Sequence, residues 1–325
     1  MKIFQEEEIR QLVGLNLKAI EIVEEGFAAL ANGMVTLPPI MRVDIPENNG
    51  EVDVKTAYIK GLDSFAIKIS SGFFNNPSIG LPSLSGMMLL FSTKTGLAQS
   101  ILLDNGYLTD VRTAAAGAIA AKYLAKPDVE SVGVIGTGTQ ARYQIEALSL
   151  IRQFETIYVY GRKDEAAKNY AVEMEAKLGK KVIVAKSPEE VVKMSEIVIT
   201  TTPATSPLIK AEWLHPGLHI TAMGSDAEHK QELDENIFSK ADLIACDVKS
   251  QCFRLGELHH AKDKRIIDEE ANIIELGEII TGTKTGRTDH GQITVCDLTG
   301  TGVQDTVIAR FAYEQLVTGK KSFIR

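Results

Sequence analysis

Three cations stand in apolar or small-residue surroundings: Arg42 in PIMRVDI, Lys68 in FAIKIS and Arg112 in LTDVRTAAAG. Each one alone reads equally well as half of a structural salt bridge. Three together suit a small anion, because arginine grips a carboxylate with a planar, two-pronged fork. Further along, Asp226 follows the strand-like run HITAMG. A residue just past the carboxyl end of a parallel strand faces the crevice where ligands bind, and a carboxylate there can take a proton or position a water. The competing reading makes Asp226 the N-cap of a following helix. The adjacent His259 and His260 would point in different directions on a helix, so they read as surface residues. No Ser/His/Asp or Cys/His arrangement has the context of a hydrolase. Cys246, Cys252 and Cys296 lack the ligand spacing of a metal site, so no metal is expected and the thiols are expected to be reduced.

The stretch GVIGTGTQA, Gly133 to Ala141, has the form G-x-G-x-x-A. SVGVIG before it reads as a strand and ARYQIEAL after it as a helix, which is the setting a dinucleotide fingerprint requires. Gly136 permits the tight turn, and Gly138 lets backbone amides approach a pyrophosphate at the helix N-terminus. The alternative is a tight turn that binds nothing. The following strand ends Tyr158-Val159-Tyr160-Gly161-Arg162-Lys163. An acid at this strand end would hold the 2′-hydroxyl of NAD, whereas a basic residue accommodates the 2′-phosphate of NADP. NADP(H) is therefore the expected cofactor, with NAD(H) as the alternative.

The elements that must position these residues form two patterns. The first third reads as α+β: a helix over Asn16–Ala31, then strand-like runs around Arg42 and Lys68 and at Gly86–Ser92 and Leu97–Asp104. An Ala-rich helix follows over Thr109–Leu124, capped by Thr109 or Asp110. From Val129, six short runs alternate with helical stretches, clearest at Gln140–Ile151 and Asp164–Leu178. That alternation implies a parallel sheet with crossover helices. The expected fold class is α/β: a Rossmann-type doubly wound domain over residues 119–302, and a smaller α+β domain from 1–118 with 303–325.

The chain has 325 residues, of which 44% are hydrophobic and 24% charged, and a formal net charge of -8, values that suit a soluble globular protein. The acidic balance argues against nucleic acid or an anionic membrane as partner. The N-terminus has acidic residues where a secretion signal would be apolar, and no apolar run approaches the roughly 20 residues of a membrane span, so a cytoplasmic protein is expected.

Together, LTDVRTAAA at Leu108–Ala116, GTGTQA, TTTP at Thr200–Pro203 and AMGSD resemble the ornithine cyclodeaminase/μ-crystallin family over nearly the whole chain. The run GFFNNPSIGLPSLSG is most similar to a subgroup linked to ectoine breakdown. The resemblance implies an α-carboxylate held by Arg42, Lys68 and Arg112, with Asp226 as the catalytic carboxylate and Lys68 the other candidate to handle the proton. It implies cofactor contacts from Thr113, Thr139 and Gln140, from Thr201, Thr202, Met223 and Gly224, and from Thr299 and Thr301. Members interconvert imines and amino acids by hydride transfer, and a homodimer through the first domain is expected. Where ornithine cyclodeaminase has a glutamate for the side-chain amine, this chain reads Val54-Lys55-Thr56. Lys55 there would repel ornithine; alternatively it turns to solvent or pairs with Asp53 or Asp63 and leaves selectivity to the shape of the pocket. The leading expectation is thus an NAD(P)-dependent reductase or dehydrogenase of a small imino or amino acid. The alternatives are an ammonia-eliminating cyclodeaminase and a non-catalytic crystallin-like NADPH-binding protein.

Overall fold

The computed structural model describes residues 1–322 and divides into two compact units, residues 1–112 with 301–322 and residues 113–300. The division falls at Arg112–Thr113, inside the helix Tyr107–Leu124 and ahead of the 118/119 boundary drawn from the sequence. Residues 323–325 of the expected C-terminal segment lie outside the described residues.

The first unit is built on a seven-stranded sheet. Its strands are β1 (Lys2–Gln5), β2 (Val35–Thr36), β3 (Met41–Ile45), β4 (Gly50–Ile59), β5 (Ser64–Phe73), β6 (Leu84–Ser92) and β7 (Ala98–Leu103). The order is β1-β7-β6-β5-β4-β2, with β3 also paired to β4; β1 runs parallel to β7 and the other pairs are antiparallel. The expected runs became β3, β5, β6 and β7. β1, the helix Glu6–Leu12 and the ten-residue β4 were not among the expected elements.

Two helices cover one face of this sheet. Leu17–Ala31 is capped by Asn16, whose side chain accepts from the Ala19 amide at 3.0 Å. Gly26, a poor helix former, is tolerated because a Cβ there would sit 3.3 Å from the Val307 methyls of the C-terminal helix. The C-terminal helix, Gly302–Ser322, lies closer still to the sheet. A Cβ on Gly302 would fall 2.2 Å from the Thr56 carbonyl oxygen of β4. One turn on, the Thr306 hydroxyl donates to the Ala57 carbonyl at 2.8 Å and accepts the Ala66 amide at 3.2 Å, joining β4 to β5. The helix Tyr107–Leu124 begins two residues before the expected start, and its cap is not Thr109 or Asp110. Asp104, at the end of β7, accepts the Leu108 amide at 2.8 Å.

The second unit is a parallel eight-stranded sheet of β8 (Ser131–Ile135), β9 (Thr156–Tyr160), β10 (Lys181–Val184), β11 (Ile197–Thr200), β13 (His219–Ala222), β15 (Leu243–Cys246), β16 (Ile273–Glu275) and β17 (Thr294–Asp297). β12 (Thr205–Ile209) and β14 (Gln231–Leu233) form a separate parallel pair. The order β10-β9-β8-β11-β13-β17-β15-β16 makes this a Rossmann-type sheet whose direction of winding reverses between β8 and β11. The six runs expected from the sequence are β8, β9, β10, β11, β13 and β15. β17, in the middle of the sheet, was missed because only four residues follow a long irregular stretch. Among the described residues no helix is long and apolar enough to cross a membrane.

The closeness of the C-terminal helix to β4 is testable. Gly302→Ala must push that helix off the sheet, and overpacking of this kind costs about 1–3 kcal/mol. Urea unfolding should show that loss; an unchanged midpoint would contradict the close approach.

Candidate active site

The first unit carries a buried charge cluster. Antiparallel pairing sets Lys55 of β4 directly opposite Lys68 of β5, and both side chains lie on the face covered by helices. Lys68 is 1% exposed and Lys55 4%. The helix Tyr107–Leu124 contributes Arg112, and the first turn of the C-terminal helix contributes Asp305, which is fully buried. Asp305 receives Lys68 Nζ at 3.2 Å on one oxygen and Arg112 Nε at 2.9 Å on the other. Arg112 also donates to Gln304 Oε1 at 2.8 Å.

These distances set the protonation states. Burial pushes the Lys68 ammonium down to about 7, Arg112 and Lys55 act in the same direction, and Asp305 opposes them. Burial alone would raise the Asp305 pKa, yet Arg112 and Lys68 hold it below the usual carboxylate value. Burial lifts Asp104, also in this cluster, to about 6. Lys68 can therefore gain or lose a proton near neutrality. Two cations, Lys68 and Arg112, share the single carboxylate of Asp305, with Lys55 beside Lys68 by register.

Arg42 is placed differently from Lys68 and Arg112. It is half-buried and shared among Asp44 (2.8 Å), Glu51 and Asp53 (3.7 Å). Asp305 and Asp104 were not picked out from the sequence. An acid in the first turn of a helix reads as a dipole partner, and nothing local marks it as the counter-ion of residues about two hundred positions away.

In the second unit, the glycine turn follows β8. Gly136 has φ 123°, and a Cβ on it would lie 2.4 Å from Thr201 Oγ1, so the turn admits only glycine. The next helix, Thr139–Ile151, starts from Gly138 with no side-chain cap, which leaves its first amides available to an anion. Arg142 steadies the turn, donating to the Thr137 carbonyl at 2.6 Å and the Gly138 carbonyl at 3.1 Å, and its other side meets Glu173 at 2.7 Å. A cleft of about 360 Å³ opens here, lined by Gly136, Gly138, Gly161, Arg162, Lys163, Thr201 and Thr202. Ile135, Thr137, Tyr160, Ala166, Pro203, Ala204 and Leu208, not assigned to the site from the sequence, complete it. Arg162 and Lys163 are exposed, and no acidic residue lines the cleft. An uncapped helix start, a turn with no room for a Cβ and a basic rim fit a dinucleotide phosphate.

The other expected cofactor residues lie outside that lining. Thr139 and Gln140 form the first turn of the helix, and the Thr113 carbonyl accepts from Gln144 at 2.9 Å. Met223 and Gly224 follow β13, and Thr299 follows β17 with its hydroxyl 3.0 Å from Asp247. Thr301 belongs to the first unit.

Asp226 is not a helix cap, because β14 follows it rather than a helix. It lies in a turn in which Ser225 Oγ donates to the Lys230 carbonyl at 2.6 Å and Lys230 Nζ reaches Asp226 Oδ1 at 2.7 Å. Lys230 is 5% exposed, so its charge is held against the carboxylate. The reading of the histidine pair as surface residues needs correction. Both are half-buried, and the His260 ring lies 2.7 Å from the Lys230 carbonyl, bracing the Asp226 turn.

Residues 1–320 match the family described as the ornithine cyclodeaminase/mu-crystallin family. The chain is 53% identical to a Rhizobium meliloti protein provisionally named a dehydrogenase, covering 96% of this chain and 95% of that one. It is 51% identical to an uncharacterised cyclodeaminase of Sinorhizobium fredii, covering 97% and 96%. Among solved structures, the Thermococcus litoralis Δ1-pyrroline-2-carboxylate reductase in complex with NADH and L-proline superposes with a TM-score of 0.94 at 31% identity, covering 98% of each chain. An archaeal alanine dehydrogenase dimer with bound NAD superposes with a TM-score of 0.91 at 34% identity, covering 98% and 97%.

The cluster makes a prediction that needs no substrate. In protein carrying ε-13C-lysine, one resonance should titrate near pH 7, where an ordinary lysine holds its proton to about 10.4. That resonance should vanish in Lys68→Met, and its midpoint should fall further in Asp305→Asn. Lysines that all titrate above pH 10 would contradict the burial and charge argument.

Proposed function

The chain belongs to the ornithine cyclodeaminase/μ-crystallin family, and from that premise we propose that it is an NAD(P)-dependent reductase or dehydrogenase interconverting a small imino acid and its amino acid. The observation that carries the reading is the buried site in which Lys68 and Arg112 share the one carboxylate of Asp305, a pair of cations that suits a substrate carboxylate. Arg112 and Lys68 hold the substrate α-carboxylate. Arg42, already shared by three acids, adds least to that grip. Lys68 Nζ, poised near neutrality, holds the proton that the substrate nitrogen exchanges. Asp226, fixed by Lys230, is the second candidate for proton handling.

Gly136, Gly138, Thr201 and Thr202 would hold the cofactor, with Arg162 and Lys163 at its ribose. When bound, the nicotinamide supplies or accepts the hydride at the substrate α-carbon. The basic rim and the absence of a cleft acid favour NADP(H); the NADH and NAD bound by the two structural relatives make NAD(H) the alternative. Lys55 sets the substrate preference. A further cation beside it would cost several kcal/mol, so neutral or acidic side chains are favoured over ornithine, lysine or arginine.

The decisive experiment follows nicotinamide absorbance with keto acids plus ammonia or amines, and with cyclic imines, for wild type and Arg162→Ala. The expected result is net oxidation of NADPH, faster than NADH, with the gap narrowed in the variant by roughly 1.5–3 kcal/mol of charge-assisted bonding. Ornithine consumption without net oxidation would instead establish the cyclodeaminase reaction.

The oligomer proposed is a homodimer through the first unit. The sheet face opposite the charge cluster is an apolar row: Met41, Val43, Val54, Ile69, Met87 and Leu89 share it by register. Met41 is 58% and Val43 49% exposed, which a symmetric partner would relieve. Light scattering at micromolar concentration should give twice the chain mass; a monomer would refute the arrangement.

A further inference from the structure

We propose that Glu232 is a positioning residue that sets the nicotinamide half of the cofactor site, an inference that rests on reading the cleft as an NAD(P) site. Glu232 sits in β14, fully buried, and its carboxylate is fully engaged. Oε2 accepts Thr200 Oγ1 at 2.6 Å and the Gly224 amide at 2.8 Å. Oε1 accepts the Thr202 amide at 2.6 Å and Thr202 Oγ1 at 2.7 Å. Thr200 is the last residue of β11, and Gly224 is two residues past the end of β13. One carboxylate therefore ties together the loops leaving two neighbouring strands.

Those strands lie beyond the reversal of winding, on the side away from β9. A doubly wound sheet binds a dinucleotide with one half on each side of that point. The side of β8 and β9, with Gly136, Gly138 and Arg162, takes the adenosine half. Thr202 lines the cleft beside Gly161 and Arg162, so the loop after β13, which the same carboxylate holds through the Gly224 amide, is left for the nicotinamide half. Gly224 has no freedom of its own: a Cβ there would lie 2.2 Å from the Thr202 carbonyl oxygen and 2.6 Å from the Glu232 carboxylate.

The arrangement requires a carboxylate rather than a carboxamide. Each of its oxygens faces one backbone N–H and one hydroxyl. A hydroxyl can rotate to accept; an N–H cannot. A glutamine of the same shape must turn its NH2 toward either the Gly224 or the Thr202 amide, setting donor against donor in a buried site. Glu257, which accepts the Glu232 amide at 2.7 Å, holds β14 in place behind it. The tie therefore reaches the cofactor through the loops and not by touching it.

The test measures NADPH and ADP dissociation constants and steady-state kinetics for wild type, Glu232→Gln and Gly224→Ala. ADP reports the adenosine half alone. Both variants should weaken NADPH by about ten-fold or more, the scale of one buried donor left unpaired, and lower kcat. ADP should be weakened less than NADPH in Glu232→Gln and should stay within about two-fold in Gly224→Ala, and the KM for the imino acid should stay within about two-fold in both. Gly224→Ala retains the carboxylate and crowds the same tie, so it decides the matter if Glu232→Gln does not fold. NADPH affinity unchanged in the variants, or NADPH and ADP weakened equally, would overturn the positioning role. Wild-type protein that binds neither nucleotide would overturn the cofactor reading, and the proposal with it.

Discussion

The first unit depends on Asp305. A carboxylate with no solvent exposure is costly unless it is paired, and here the partners come from β5 and from the helix that follows β7. Removing Asp305 would leave Lys68 and Arg112 buried side by side without the carboxylate that they share. The cluster thus obliges the last helix to return to the first hundred residues. Gly302 and Thr306 make the return geometrically possible, one by lacking a side chain and the other by bonding to both β4 and β5. The same charges that hold the unit together leave Lys68 poised to exchange a proton.

That cluster also inverts the sheet. Beneath the helices, β4 and β5 present Glu51, Asp53, Lys55 and Lys68 along one row, while Val52, Val54, Ile67 and Ile69 turn to the other side. An alternating strand usually buries its apolar row. Here the covered face is the polar one over half its length, with Ala57, Ala66, Met88 and Leu90 continuing it as ordinary core. On the other side, Met41, Val43 and Met87 of the apolar row stay exposed.

In the second unit, buried acids serve as anchors for backbone. Glu232 holds the loops after β11 and β13. Asp247 accepts the Thr299 amide at 2.9 Å and the Gly300 amide at 2.7 Å, and so holds the loop after β17. Asp297, which burial pushes up to about 7, accepts the Leu258 amide at 3.0 Å. The loops after β11, β13 and β17 are segments without a ladder of their own, and an interior carboxylate supplies their amides with partners. The loops around the cleft are thus bonded by residues that do not line it.

Local physics was enough to make the Rossmann turn legible. Gly136 and Gly138 between an apolar run and a helix leave few other uses, and Arg162 and Lys163 one strand later follow from chain order alone. The same holds for the helices Leu17–Ala31 and Asp164–Leu178, whose apolar spacing declares them. Lys68 and Arg112 stood out because charge among small and apolar residues is rare. Nothing in the linear chain said that Asp305 would answer them, that Arg42 would be absorbed by Asp44, Glu51 and Asp53, or that Glu232 would lie under two loops. β4 hid for a related reason: alternation states that two faces differ, and only packing decides which one is inside. Spacing along a chain encodes helix, strand and turn, which are local; the pairing of buried charges is a relation between distant segments, and it exists only once the fold has brought them within a few ångströms.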